Sequence, residues 1–407
     1  MPSMAIVMQD QSATLPSAPP LPRGFRAGAV PCGIRRKAGR LDLGLILGER
    51  AFPATAVFTR NQLLGAHVPV CREHLEKSGG RVRALLVNSG NANCSTGREG
   101  IEDNRKIASA LAELIGCAPE EVLFLSTGVI GARLPVDTII AALPELLSRP
   151  DSRGADAFSH AIMTTDLVPK VTAVESETAS GASCRTVGIA KGAGMIHPNM
   201  ATMLAFLLTD SALPSEAKAL LSRVADQSFH RLSVDGDTSP NDTLLLWGSG
   251  DAARSTSTLE SDLCLVARDL CRRIAVDGEG ATRLVTIEVC GAPSEASAVQ
   301  VGRTIATSPL TKTAVHGRDP NWGRILAAAG RSGIPFDPER ARVWIGPATV
   351  YDQGRPQPEN ENAAHLHMLN EKEVVLGIDL AAGASSAQVW TCDFSADYVR
   401  INADYRS

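Results

Sequence analysis

Residues 191–210 read KGAGMIHPNMATMLAFLLTD. Gly192, Gly194, Pro198 and Asn199 stand directly ahead of an apolar run that predicts a strand beginning at Ala201-Thr202, so the chain must bend sharply before it extends. A tight turn feeding a strand can hold a peptide bond strained and exposed. A threonine hydroxyl just after that bond can attack the preceding carbonyl, which makes Ala201–Thr202 a candidate for self-cleavage. The same composition also suits an ordinary turn, and these residues alone leave both readings open.

Outward from this stretch, short apolar runs bounded by Gly, Pro or Asn predict strands over 41–47, 54–58, 84–87, 184–189, 202–208, 243–247 and 284–289. Apolar residues recurring at three and four predict helices over 101–115, 136–148 and 215–230, with Pro144 interrupting the second. Strands and helices intermix, which gives an α and β class. Residues 9–22, QDQSATLPSAPPLP, predict a flexible lead over 1–22, and 352–362, DQGRPQPENEN, an exposed loop. No repeat period announces a solenoid or propeller.

The chain has 407 residues, more than one core usually serves, so two lobes are expected. Apolar residues make up 44% and charged residues 21%, ordinary globular usage that excludes disordered and fibrous classes. Lysine and arginine number 40 against 44 acids and are dispersed, so no basic face for nucleic acid is expected. No apolar run reaches the length of a membrane span, and Met1 to Met8 has no basic region followed by a long apolar one, so a cytoplasmic protein is expected. The nine cysteines include no CxxC pair, and the nearest two, Cys264 and Cys271, are seven apart. Reduced thiols, with neither a disulfide framework nor a zinc site, are the expectation.

The 191–210 stretch resembles the self-processing motif of the ornithine acetyltransferases. LLVNSGNAN at 85–93, STGVIG at 126–131, MTTDLVPK at 163–170 and SVDGDTSPNDT at 233–243 match the same family in order. VDGEGATR at 276–283, SPLTKTAVHGRDPNWGRILAAAG at 308–330 and VWTCDFSADYVRINADYRS at 389–407 complete a resemblance running from about residue 22 to the end. Departures are few: Pro240 stands where threonine is common, Cys94-Ser95 replaces a small residue and Cys, and His316 takes an aromatic position.

The resemblance implies a layered αββα-like sandwich akin to the N-terminal-nucleophile hydrolases, with a smaller C-terminal lobe from about residue 285. It implies cleavage into an α chain (23–201 after the lead) and a β chain (202–407), paired further as α2β2. Thr202 would be the nucleophile, with its own released α-amine as base. Such an amine has an unperturbed pKa of about 7.7–8.0 and is partly neutral near pH 7. The resemblance gives the oxyanion hole to the Thr127 hydroxyl and the Gly128 N–H, and substrate contacts to Thr165, Lys191, Glu279, Asn402 and Ser407 as well as Thr202. These types suit an amino-acid substrate, Lys191 as a point charge for a carboxylate and Glu279 as an acceptor for an ammonium. His197, beside Pro198 in the turn, is given packing or surface duty. The implied reaction moves acetyl from N-acetylornithine to glutamate by double displacement, with acetyl-coenzyme A as a further donor in some members and no cofactor or metal. The rival readings are an aminopeptidase or amidase on the same self-cleaving fold, and an unprocessed, non-catalytic homologue.

Overall fold

The computed structural model describes residues 18–35, 39–177, 183–197, 203–252 and 255–404. Fourteen strands and eleven helices form among them. The first part of the chain gives β1 (Phe25–Val30), β2 (Leu43–Phe58), α1 (His67–Lys77), β3 (Arg81–Asn88), α2 (Gly97–Ile115), β4 (Val122–Ser126), α3 (Val136–Leu147) and α4 (Ala155–Ile162). It continues with β5 (Lys170–Glu177), β6 (Ser183–Lys191), β7 (Leu204–Ser211), α5 (Ala217–Asp226), β8 (Thr243–Ala252) and α6 (Thr256–Val276). The remainder gives β9 (Leu284–Ala292), α7 (Glu295–Ala306), α8 (Pro309–His316), α9 (Trp322–Gly330), β10 (Arg342–Ile345), β11 (Ala348–Asp352) and β12 (Arg355–Pro356). It ends with α10 (Glu361–Asn370), β13 (Glu373–Asp379), β14 (Ser385–Cys392) and α11 (Ala396–Ala403).

The first eight strands form one sheet of order β4-β3-β2-β8-β7-β6-β5, with β1 beside β2. β2 is the pivot. Its first half pairs with β1 and its second half with β8, so one long strand belongs to two half-sheets. Alternation of side chains then sorts residues by face. Leu204, Phe206 and Leu208 of β7 and Leu245 and Trp247 of β8 turn inward to meet Phe25, Ile46, Leu85 and Leu125 of the other half. Phe25 and Trp247 meet edge-on across that layer, their ring centres 5.0 Å apart.

The alternate residues face outward and are covered by helices. Ala205, Leu207, Leu244 and Leu246 pack under α5 and α6, while Leu43, Leu45, Ala84 and Leu86 pack under α2 and α3. The result is four layers, helices, half-sheet, half-sheet, helices, as the resemblance implied. A second sheet of order β12-β11-β10-β13-β9-β14 carries its own core against α7, α8, α9 and α10.

Three sequence expectations change. The runs at 41–47 and 54–58 are one strand, because the intervening Glu49-Arg50 lies at a register shift where β2 bulges toward solvent. Pro144 does not interrupt α3, since it sits on the exposed face, where the carbonyl it deprives of a donor can turn to water. The 352–362 segment is not all loop: Arg355–Pro356 adds a two-residue edge strand, and α10 starts at Glu361. The expected strand at 202–208 is described from Leu204 onward.

Candidate active site

β7 and β8 run parallel and begin at the same end of their half-sheet, where antiparallel β6 finishes. β3 and β4, also parallel, finish in the other half-sheet at Asn88 and Ser126. A cavity of about 280 Å³ lies among these ends, lined by Thr127, Gly128, Thr165, Lys191, Glu279 and Asn402 together with Met203, Asn241 and Asp242. Six of the residues singled out by resemblance therefore share one space. Ala201, Thr202 and Ser407 lie outside the described residues, as does the Ala201–Thr202 bond.

Thr127 and Gly128 leave β4 on a floor built of buried asparagines. The Thr127 N–H donates to the Asn88 carbonyl at 3.0 Å, and Asn88 Nδ2 donates to the Asn91 carbonyl at 2.9 Å. Asn241 reaches over from the other half-sheet, its Nδ2 donating to the carbonyls of Ala92 (2.6 Å) and Ser126 (2.7 Å). Gly128 has φ +135°, and a Cβ there would lie 2.4 Å from the carbonyl carbon of Gly90 and 2.5 Å from the nitrogen of Asn91. Only glycine fits.

A buried ion network holds the adjoining wall. Lys170, fully buried, donates through Nζ to Asp166 Oδ1 at 2.7 Å and to Asp277 Oδ2 at 2.6 Å. Asp166 also accepts from the Gly192 N–H at 2.6 Å and the Thr164 N–H at 2.9 Å, so one carboxylate ties the Thr164-Thr165 turn to the glycine turn after β6. Burial pushes the Asp166 carboxyl upward, but the charges of Lys170 and Lys191 and the Gly192 N–H outweigh it and hold Asp166 well below the usual carboxylate range. Lys191 is depressed below the ordinary lysine range by burial, with Asp166, Asp242 and Glu279 pulling it back.

The turn that follows Asp277 and α11 supply another part of the lining, through Glu279 and Asn402. Glu279 donates its N–H to the Ala193 carbonyl at 2.9 Å, and its Oε2 accepts from Asn402 Nδ2 at 2.8 Å. A Cβ on Gly194 would sit 2.3 Å from the Glu279 carboxyl carbon, so the second glycine of the KGAG turn makes room for this acid. Asp235 accepts from the N–H groups of Met195 (2.6 Å) and Ile196 (2.9 Å), and Met195 is held at φ +54°. His197 lies between Ser233 Oγ (3.0 Å) and the Arg303 guanidinium (2.6 Å). Burial and then the Arg303 charge lower its imidazole to about 4, so it accepts from Arg303 as a neutral ring.

Sequence reasoning missed Asp242, Asn241 and the Asp166–Lys170–Asp277 network. The first two stand in SPNDT, which reads as turn polarity until its burial is known. Asp166 and Lys170 carried a faint signal in their spacing of four, but Asp277 is 107 residues farther on. Among the described residues no group of three His, Cys, Asp or Glu side chains could hold a metal ion, and no helix is long and apolar enough to cross a membrane. The nine cysteines all lie among the described residues and none is joined to another in a disulfide.

A family model described as the ArgJ family matches residues 26–407. The chain belongs to the ArgJ family. Among ArgJ proteins, the arginine biosynthesis bifunctional protein ArgJ of Parasynechococcus marenigrum is 44% identical over 406 residues, covering 99% of this chain and 98% of its own. The ArgJ of Thermus thermophilus is 46% identical over 388 residues, covering 95% and 98%. Of solved structures, an ArgJ from Bacillus halodurans aligns with TM-score 0.48 and 36% identity, over 49% of this chain and 98% of that one. Ornithine acetyltransferase from Mycobacterium tuberculosis, solved with ornithine, aligns with TM-score 0.41 and 39% identity, over 44% and 93%. Membership in ArgJ bears out the family resemblance read from residues 22 to 407.

Proposed function

We propose that this chain is a self-processing acetyltransferase of arginine biosynthesis that moves acetyl from N-acetylornithine to glutamate through an acetyl ester on Thr202. The observation that carries this reading is the convergence of Thr127, Gly128, Thr165, Lys191, Glu279 and Asn402, from five separate stretches of chain, on one cavity that Met203, the neighbour of Thr202, also lines. About 280 Å³ is at the small end of ligand cavities, a size that suits an acylated amino acid.

The chemistry follows from the residue types. Attack by Thr202 Oγ on the acetyl carbonyl places negative charge on its oxygen. The Thr127 hydroxyl and the Gly128 N–H are the donors for that oxyanion, each worth roughly 2.7–4 kcal/mol by analogy with a protease oxyanion donor. Lys191 meets the substrate carboxylate, and the Glu279–Asn402 pair offers acceptors to its ammonium. Ornithine leaves, glutamate enters, and the second half-reaction reverses the first at the same oxyanion hole. The pieces 1–201 and 202–407 stay together and assemble as α2β2, in the cytoplasm.

Intact mass spectrometry tests the reading on purified protein. The wild type should split into pieces of 201 and 206 residues, and the second should gain one acetyl group from N-acetylornithine alone. Thr202→Ala should stay whole and gain none. Cleavage of Thr202→Ala at the same bond would assign processing to an outside protease. Initial rates should give parallel double-reciprocal lines, as ping-pong exchange requires, whereas intersecting lines would mean transfer in a ternary complex. The same acetylation assay with acetyl-coenzyme A decides whether the cycle has a second donor.

A further inference from the structure

Thr127 and Gly128 reach the cavity from one point of the chain. That point is the Cα of Thr127, which bears the hydroxyl side chain and opens the peptide unit carrying the Gly128 N–H. The peptide unit before it decides where it stands. A trans peptide unit is planar, so holding its carbonyl and its N–H fixes its plane. At Ser126–Thr127 both are held. The Thr127 N–H donates to the Asn88 carbonyl at 3.0 Å, and the Ser126 carbonyl accepts from Asn241 Nδ2 at 2.7 Å. Asn88 ends β3, the neighbour of β4, but Asn241 is 115 residues farther along the chain than Ser126, just ahead of β8 in the other half-sheet.

The same nitrogen donates to the Ala92 carbonyl at 2.6 Å. The Ala92 N–H donates in turn to the Val129 carbonyl at 3.0 Å, so one amide joins the two segments that pack around Gly128. Two carbonyls take up both N–H bonds of the amide. Its Oδ1 has no donor among the described residues. Gly65 backs the amide: a Cβ there would stand 2.7 Å from Oδ1, 2.8 Å from Cγ and 2.9 Å from Nδ2. Gly65 is also tied to this loop by its N–H, which donates to the Pro240 carbonyl at 2.9 Å, yet it does not line the cavity. The amide is the far end of a flexible side chain, so a methyl group at 65 would displace it before moving either backbone.

We propose that Asn241 is a positioning residue for the oxyanion hole, with Gly65 as the seat that keeps its amide on the Ser126 and Ala92 carbonyls. The inference rests on Thr127 and Gly128 being the oxyanion donors. Such donors stabilise the anion only when aimed at the place where it forms, and a misplacement of about 1 Å can cost about a hundredfold in rate. With the Asn241 amide gone, the Ser126–Thr127 plane is held at its N–H alone and can tilt. Both donors spring from Thr127 Cα, so both tilt with it. The anion exists only along the reaction path, so the loss falls on kcat and spares KM.

The test is a double-mutant cycle on the full-length protein, with Asn241→Ala, Gly65→Ala and the two together. Should Asn241→Ala fold poorly, Asn241→Ser takes its place, since its shorter side chain also loses the amide. Intact mass follows cleavage in each, and kcat and KM are measured for transfer from N-acetylornithine to glutamate. Asn241→Ala should lower kcat about a hundredfold with KM within about threefold. Gly65→Ala, which keeps the amide but displaces it, should lower kcat about tenfold or more with KM equally unmoved. In the pair, the substitution at 65 should change kcat by less than about twofold, because no amide remains to be displaced. Wild-type kcat in either single variant would overturn the proposal. Additive losses would overturn it by giving the two residues separate duties, and a raised KM at full kcat by giving the amide to the substrate. A folded variant that stays whole would overturn it as well, by assigning Asn241 to processing. Failure of the underlying reading shows elsewhere, as transfer by Thr127→Ala at the wild-type rate whatever Asn241 does.

Discussion

Replacing Lys170 by methionine removes one charge from the middle of the wall and keeps nearly the same volume. Its Nζ is the shared donor to Asp166 and Asp277, and all three groups are buried. Breaking a buried ion pair by deleting one member costs about 3–5 kcal/mol, because the survivor is left as an uncompensated charge. Unfolding entropy of about 2.1 cal/mol/K per residue gives roughly 0.85 kcal/mol/K for a cooperative chain of 407 residues, so the midpoint should fall by about 4–6 °C. The pH dependence is the more selective readout. In the wild type Asp166 is held below its unfolded value of about 3.9, so its stabilisation is present above that pH and is lost as pH falls through the folded value. In Lys170→Met the stranded carboxyls are pushed upward, the native state binds more protons than the unfolded one, and stability falls as pH rises. The deficit against wild type should therefore shrink between pH 8 and pH 5 in matched thermal scans. A drop under about 2 °C, or a deficit equal at both pH values, would refute the reasoning.

Thr127→Ala removes one proposed oxyanion donor and leaves Gly128, so steady-state kinetics should show turnover lower by about a hundredfold and a much smaller change in KM. Gly128→Ala should do at least as much damage and also lower the thermal midpoint, because its Cβ would meet the backbone of Gly90 and Asn91; an alanine variant with wild-type rate and midpoint would show that this turn is not fixed. Burial holds the His67 imidazole at about 4, so it is neutral in the native state while the unfolded chain takes a proton below about 6.5. Stability from this residue is full above that pH and is lost as pH falls toward 4, by up to about 3 kcal/mol. Thermal scans of His67→Gln should lack that slope.

The sandwich was legible in the sequence because its strands are apolar runs with alternating faces and its helices carry apolar stripes. Leu204 to Leu208 is unambiguous in this way. Where two signals conflicted, tertiary context won: Glu49-Arg50 looks like a break but is a solvent-facing bulge in β2, and Pro144 looks like a stop but sits where water can satisfy its neighbour. The site was legible only through long ordered motifs. Lys191 and Glu279 are ordinary charges beside glycines until the 88 residues of chain between them fold to set both on one cavity. Asp242 was illegible for a different reason. It is a buried acid in the cavity lining, and neither its burial nor its nearness to Lys191 leaves a trace in composition or spacing.

The order of the first sheet bears on the proposed cleavage in a way that no single residue does. Reading across from one edge, β4, β3 and β2 come from before residue 201, β8 and β7 from after it, and β6 and β5 from before it again. A cut at Ala201–Thr202 would leave the second piece with β7 and β8 wedged between β2 and β6 of the first, each hydrogen-bonded along its length to a strand of the other piece. The inner layer is mixed in the same way, with Phe206 of the second piece edge-on to Phe158 of the first at 5.6 Å. Separating the pieces would expose both half-sheets and the layer between them, which amounts to unfolding. The connection from β6 to β7 is thus a covalent link that the sheet does not need once folded, and it enters the cavity wall where Lys191, Met203 and Asp242 gather. A cut at Ala201–Thr202 would therefore leave in place the strand pairings that surround the cavity, as the proposed N-terminal nucleophile requires.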